Sequence, residues 1–238
     1  MSAPVDVVVL CGGRGVRLAG VIGNVPKPLA QVDGSPFLDR LLAWLVASGR
    51  VNRLLLAAGH LGDQVSERYS VVDIGLPVEV LVEGEPLGTG GAIRNALPVV
   101  TTPTFVVVNG DSFTNFSVAG LLDAHASSGA DCTILTGEID DVRRYGSIES
   151  DPATNRIVRF AEKASAEGRG LISFGVYAFE TVWAARELTA QKFSIEEYFA
   201  AHVSSAQFLA YIVQSPFIDI GTPESFSQSQ TFFRQELI

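Results

Sequence analysis

The chain has 238 residues, 47% of them hydrophobic, and a formal net charge of −9. That apolar share excludes disorder, and an acidic chain without a basic stripe lacks the electrostatic footprint of a nucleic-acid binder. No apolar run approaches the roughly 20 residues that a bilayer span needs, so no membrane contact is expected.

The N-terminus, MSAPVDVVVLCGG, has no basic segment before its short apolar run and does not read as a signal peptide. Cys11 and Cys132 are too few for a disulfide framework. They read as small buried hydrophobes in a reducing cytoplasm. His60, His125 and His202 lie far apart and show no metal-ligand spacing.

In chain order, Val5 to Val9 reads as a buried strand. A glycine-rich turn follows. Ser35-Pro36 has the form of an N-cap and a first-turn proline, leading into a helix over 37–46 that Gly49 ends. Strands are predicted over 53–58, 78–82 and 104–108, and helices over 62–69 and 90–97, the second stopped by Pro98. Such alternation through about residue 125 implies right-handed βαβ units and a mostly parallel sheet. From Ala130 onward strand-like runs dominate, at 132–135, 146–149, 157–160, 171–179, 208–213 and 217–220. They predict an antiparallel or mixed portion. Ser194 caps a helix running to about Ala201, and a terminal helix spans about 223–235. The expected fold class is α/β: a Rossmann-like central sheet flanked by helices, with a smaller antiparallel portion, in a single domain over 1–238.

The stretch from Leu10 to Pro28, LCGGRGVRLAGVIGNVPKP, carries the chemistry. Glycines after a strand let backbone N–H groups approach an anion, and Arg14, Arg17 and Lys27 add positive charge. In an acidic chain this points to a phosphate-rich substrate. A dinucleotide fingerprint would need glycine where Leu18 stands, and a P-loop would need Gly-Lys followed by Ser or Thr; both fail. In parallel sheets the ligand lies beyond the carboxyl ends of the strands, so Asn109-Gly110-Asp111 faces the same crevice as the glycine turn.

GGRGVRL followed by PKPL resembles the signature of the sugar-1-phosphate nucleotidyltransferases. LGTGGAIRNAL at 87–97, NGDS at 109–112, YGSIESD at 145–151, FAEK at 160–163, FGVYAF at 174–179 and FIDIGTPESF at 217–226 extend the resemblance in order over nearly the whole chain. Within the family, LCGG, the spacing to VPKPL, and PLGTGGAI are most similar to the D-glycero-α-D-manno-heptose 1-phosphate guanylyltransferases. The resemblance implies transfer of a nucleotidyl group from an NTP, with GTP favoured, to a sugar 1-phosphate such as that heptose phosphate.

The resemblance also implies the site. Arg17, Lys27 and Asp111 would be catalytic, Arg17 on the triphosphate and Lys27 beside the α-phosphate. Leu10, Gly12, Gly13, Arg14, Gly15, Val16, Glu83, Gly88, Thr89 and Asn109 would bind the nucleotide. Gly146, Glu162, Lys163 and Ser173 would bind the sugar phosphate, and Asp111 and Asp219 would hold Mg²⁺. Val16 stands where the family usually has threonine, and Ser173 where relatives often have asparagine. At the position implied to read the base, the Glu83 carboxylate suits the two adjacent donors of guanine, whereas glutamine suits uracil better. A uridylyl- or thymidylyltransferase for a hexose or amino-sugar 1-phosphate stays open at this point, as does a regulatory subunit that binds without turnover. A homo-oligomer is compatible with the sequence.

Overall fold

The structure is a computed structural model and describes residues 3–161 and 167–236. Its strands are β1 Val5–Leu10, β2 Gln31–Val32, β3 Ser35–Pro36, β4 Val51–Ala58, β5 Val78–Val82, β6 Thr104–Asn109 and β7 Ser112–Thr114. Six more follow: β8 Cys132–Ile139, β9 Ser147–Ser150, β10 Ile157–Ala161, β11 Gly170–Glu180, β12 Phe208–Val213 and β13 Phe217–Asp219. The helices are α1 Ala19–Ile22, α2 Phe37–Ala47, α3 Gly62–Val71, α4 Gly88–Ala96, α5 Val118–Ser128, α6 Thr181–Glu187, α7 Ile195–His202 and α8 Pro223–Glu236.

β1 sits between β4 and β6 and pairs in parallel with both, and β5 extends the parallel set beyond β4. Right-handed crossovers require helices on both faces, so central strands must be apolar on both sides. The run VDVVVL meets that need. Val7 and Val9 pack on one face with Phe37, Leu41 and Leu45 of α2. Val8 packs on the other with Ile93 of α4 and Phe199 of α7. Beyond β6 the direction reverses: β11 pairs antiparallel with β6, and then with β8 and β9. β10 is antiparallel to β9, whereas β12 joins β8 in parallel. The parallel sheet and the second portion are therefore one continuous nine-stranded sheet among the described residues. A separate ribbon of β7 and β13, paired antiparallel, sets Ser112 opposite Asp219.

Local chemistry moves some predicted boundaries. Ser35 and Pro36 do not cap α2. They pair with Gln31 and Val32 across a turn at Asp33-Gly34, and no side chain caps the helix; the Phe37 N–H instead donates to the Ala30 carbonyl at 3.0 Å. Gly146 lies before β9 in the left-handed region at φ 79°. α4 begins at Gly88 rather than Gly90, and α6 breaks no apolar run strongly enough to be visible in the sequence pattern. No helix of the described residues is long and apolar enough to cross a membrane.

One buried charge anchors the start of β1. Asp6, fully buried, accepts from Asn52 Nδ2 at 2.9 Å, Thr101 N at 2.7 Å, Thr101 Oγ1 at 2.9 Å and Arg53 Nη2 at 3.2 Å. Burial would push its carboxyl up, but the Thr101 amide, Asn52, the Thr101 hydroxyl and Arg53 together hold it below the ordinary value of 3.8. The stabilisation is thus fully present above that value and is lost as the pH falls below it. Asp6→Ala should cost about 3 kcal/mol, read from urea midpoints at neutral pH. The loss of stability on acidification should also be shallower in the variant than in the wild type.

Candidate active site

The carboxyl ends of β1, β5 and β6 open onto a cleft of about 290 Å³. Leu10, Gly12, Gly13, Arg14, Glu83, Gly88, Thr89, Asn109 and Asp111 line it, joined by Pro86, Ala92 and Lys192. The walls stand close because glycine lets them. A Cβ on Gly110 would lie 2.8 Å from the Leu10 carbonyl oxygen, and one on Gly12 would lie 3.3 Å from Glu83 Oε1. Gly175, at φ 72°, leaves the space that the Asn109 side chain fills. Glu83 sits at the cleft's end with Oε2 accepting from Leu87 N at 3.2 Å. Burial raises its pKa above the usual carboxylate range, and the Leu87 N–H offsets part of that rise.

Asp111 lines this cleft, and Asp219 lies next to it on the β7–β13 ribbon. Lys27 Nζ donates to Asp111 Oδ2 at 2.5 Å, with the lysine side chain only 11% exposed. The Pro26-Lys27-Pro28 segment explains that rigidity: a short 3₁₀ turn with both prolines buried holds the lysine stem. Ile220 N donates to the Asp111 carbonyl at 2.9 Å, and the β7–β13 ribbon carries Asp219 alongside. Asp219 accepts from Arg144 Nη2 at 3.0 Å and 3.1 Å, from Gly221 N at 2.7 Å and from the Tyr145 hydroxyl. Burial and that bond to Asp219 push the Tyr145 phenol well above its ordinary value. Arg17 completes the group, since a Cβ on Gly221 would meet both Arg144 Nη2 at 3.3 Å and Arg17 Nη2 at 3.6 Å.

A second cleft, of about 670 Å³, opens on the antiparallel side. Gly146 and Ser173 line it with Tyr145, Tyr177, Glu196, Glu197, Phe160 and Phe199 among others. Tyr145 thus borders this cleft while bonding Asp219, and Asp111 borders the first. The neighbouring acids thereby connect the first cleft to the second through Tyr145.

The structure gathers most of the residues singled out in the sequence. Gly15 and Val16 do not line the first cleft: Gly15, at φ 58°, turns the chain against the Lys27 stem, and Val16 is 76% exposed. Arg17 groups with Asp219 rather than with the other glycine-loop residues. Glu162 and Lys163 lie outside the described residues. Sequence reasoning missed Lys192, Arg144, Tyr145, Tyr177 and Glu196. Arg144 and Tyr145 adjoin the YGSIESD motif and were within reach of it. Lys192 carries no local signal and arrives by long-range packing.

That packing explains the LGTGG glycines. Phe193 N donates to the Leu87 carbonyl at 3.1 Å, and Gly90 N donates to the Phe193 carbonyl at 3.0 Å. A Cβ on Gly88 would lie 2.4 Å from the Phe193 oxygen, one on Gly90 2.1 Å from its ring, and one on Gly91 2.8 Å from the Gln191 oxygen. The glycines form a seat for the 191–193 strap, which puts Lys192 on the first cleft and Glu196 on the second.

Glycine loop, paired acids and twin clefts on one sheet are the anatomy of an enzyme that joins a nucleotide to a second phosphate. The chain belongs to the nucleotidyl transferase family, which it matches over residues 6–236. Its relatives include the D-glycero-α-D-manno-heptose 1-phosphate guanylyltransferases of Aneurinibacillus thermoaerophilus and Campylobacter jejuni. The first is 30% identical over 94% of this chain and 96% of the relative; the second is 31% identical over 92% and 96%. Among solved structures, HddC from Yersinia pseudotuberculosis complexed with GMP-PN superposes with a TM-score of 0.84 at 33% identity, covering 96% of this chain and 99% of that one.

Gly88→Ala tests the strap. The residue sits at φ 71° with no room for a Cβ. The variant should lose about 1–3 kcal/mol of stability, and trypsin should cut after Lys192 faster than in the wild type under native conditions.

Proposed function

We propose that the protein transfers a guanylyl group from GTP to D-glycero-α-D-manno-heptose 1-phosphate or a similar cyclic polyol phosphate, releasing pyrophosphate. The carrying observation is the Lys27–Asp111 pair on the first cleft, with Asp219 beside it across the β7–β13 ribbon and bonded to Tyr145 of the second cleft. The named activity of relatives matched over nearly their whole length supports it, as does the GMP-PN complex of HddC. We read one domain over 1–238 of a cytoplasmic enzyme, in which residues to about 125 serve the nucleotide and the rest serve the sugar.

A phosphate oxygen of the sugar 1-phosphate attacks the α-phosphorus in line, a P–O bond forms, and the bond to the departing pyrophosphate breaks. No protein nucleophile is needed, because both reactants already carry the reacting atoms. The obstacle is repulsion between two polyanions, so the chain's work is positioning and charge neutralisation. Lys27, held by Asp111 and by its buried stem, meets the α-phosphate with a fixed ammonium. Arg14 and the Gly12–Gly13 amides take the triphosphate, and Arg17 the pyrophosphate leaving towards Asp219 and Arg144. Glu83 accepts from the guanine edge.

Asp111 and Asp219 suit a divalent metal. Mg²⁺ commonly takes one or two carboxylates and completes its shell with substrate phosphate oxygens and water. Among the described residues no cluster of three or more His, Cys, Asp or Glu gathers, so these two would act with the substrate rather than as a full cage. When bound, Mg²⁺ would neutralise phosphate charge in the transition state.

Pyrophosphate release across a panel of NTPs and sugar 1-phosphates should be fastest with GTP and the heptose phosphate and should require Mg²⁺. Asp111→Asn should lower kcat about 100-fold or more with an unchanged melting temperature, and near-normal Mg²⁺-dependent rates would sink the assignment. Glu83→Gln should shift the kcat/KM ratio of GTP to UTP about tenfold towards UTP. An unchanged ratio would remove Glu83 from base recognition.

A further inference from the structure

The second cleft contains a directed run of hydrogen bonds that no residue of the glycine loop or of the acid pair uses. Ser173 Oγ donates to the Tyr177 hydroxyl at 3.3 Å, and that hydroxyl donates to Glu196 Oε1 at 3.4 Å. On the other side, Thr89 Oγ1 donates to Glu196 Oε2 at 3.0 Å and Ser194 Oγ donates to it at 2.7 Å. The three aliphatic hydroxyls also accept a backbone N–H: Ser173 from Gly175 at 3.1 Å, Thr89 from Ile195 at 2.8 Å, and Ser194 from Glu197 at 3.3 Å. With one proton per hydroxyl, every donor in the network is committed and points towards Glu196. What the network leaves for the cleft is lone pairs. The largest unfilled capacity is on Glu196 Oε1, whose one hydrogen bond among the described residues is the long one from a buried tyrosine.

Among the described residues no cation pairs with Glu196, and Glu197 lines the same wall. A carboxylate lining a cleft, with Oε2 held by two hydroxyls and Oε1 by a single long bond, accepts hydroxyl donors and repels anions.

We infer that Glu196 is a specificity-determining residue of the sugar cleft. It accepts a hydroxyl of the sugar 1-phosphate through Oε1 and excludes sugars that present a carboxylate there. This rests on the reading of the protein as a sugar-1-phosphate nucleotidyltransferase. It assigns to the enzyme a preference for neutral polyhydroxyl sugars over hexuronic acids. Because Thr89 also borders the nucleotide cleft, the residue that reads the sugar is tied to the wall that holds the nucleotide.

The test is steady-state pyrophosphate release at saturating GTP, with a neutral sugar 1-phosphate and with the matching hexuronic acid 1-phosphate. Glu196→Gln keeps an oxygen for Thr89 and Ser194 but removes the charge. It should raise KM for the neutral sugar phosphate about tenfold, leave KM for GTP unchanged, and narrow the preference for the neutral sugar over the hexuronate by a similar factor. Glu196→Asp keeps the charge and shortens the reach, so it should weaken KM for the neutral sugar yet retain the bias against the hexuronate. Wild-type-like sugar KM in both variants would overturn the inference. So would a parallel rise in the KM for GTP, the mark of a displaced strap. Wild-type protein that releases no pyrophosphate with any sugar 1-phosphate would instead overturn the parent reading and this inference with it.

Discussion

β1 hydrogen-bonds in parallel to β4 on one side and to β6 on the other, so three strands end together at one edge of the sheet. Parallel strands cannot be joined by tight hairpins, and their long returns leave the chain free to place loops at that edge. The edge is pinched further by direct backbone contact: Gly110 N donates to the Leu10 carbonyl at 3.0 Å, and Cys11 N to that of Ala57 at 2.7 Å. Leu10, Gly12, Asn109 and Asp111 take their positions on the first cleft from this pinch. The pinch in turn depends on Gly110, where any side chain would push β6 away from β1.

The charges are arranged against the character of the whole molecule. A chain with net charge −9 must bind an anionic ligand. It does so by holding its site carboxylates on cations and hydroxyls instead of leaving them open. Asp111 rests on Lys27, and Asp219 on Arg144 and Tyr145. Neither acid confronts incoming phosphate as a bare charge; Lys27 is fixed by its flanking prolines and Tyr145 packs edge-on against Phe217. Preorganised charge of this kind costs no rearrangement when the ligand arrives.

The two clefts are joined by the strap at 191–193 and the start of α7. Its seat on Gly88, Gly90 and Gly91 is a contact between segments about a hundred residues apart. It makes one backbone run serve both clefts. The LGTGG motif reads in sequence as a nucleotide loop, and Gly88 and Thr89 do border the first cleft. Its glycines are nonetheless shaped for Phe193.

Composition and local pattern determined the elements and the class of chemistry. The unbroken apolar run at Val5 to Val9 declared a strand covered on both faces, because only burial on both sides tolerates it. The glycines and cations after it declared a phosphate site, and the motif order declared the family. Local pattern misplaced Ser35-Pro36, because a two-residue strand pairing competed with capping and won. It was silent on Lys192 and Glu196, which read as ordinary polar residues at the start of a helix. Their role comes from docking against Leu87–Gly91 and Tyr177, and no period of 2 or 3.6 encodes such a contact. Asp111 and Asp219 show the division most plainly. Asp111 was visible as an acid after a strand and Asp219 as the acid of the FIDIGTPESF motif, but their adjacency is set by the β7–β13 pairing across more than a hundred residues, which only the folded chain provides.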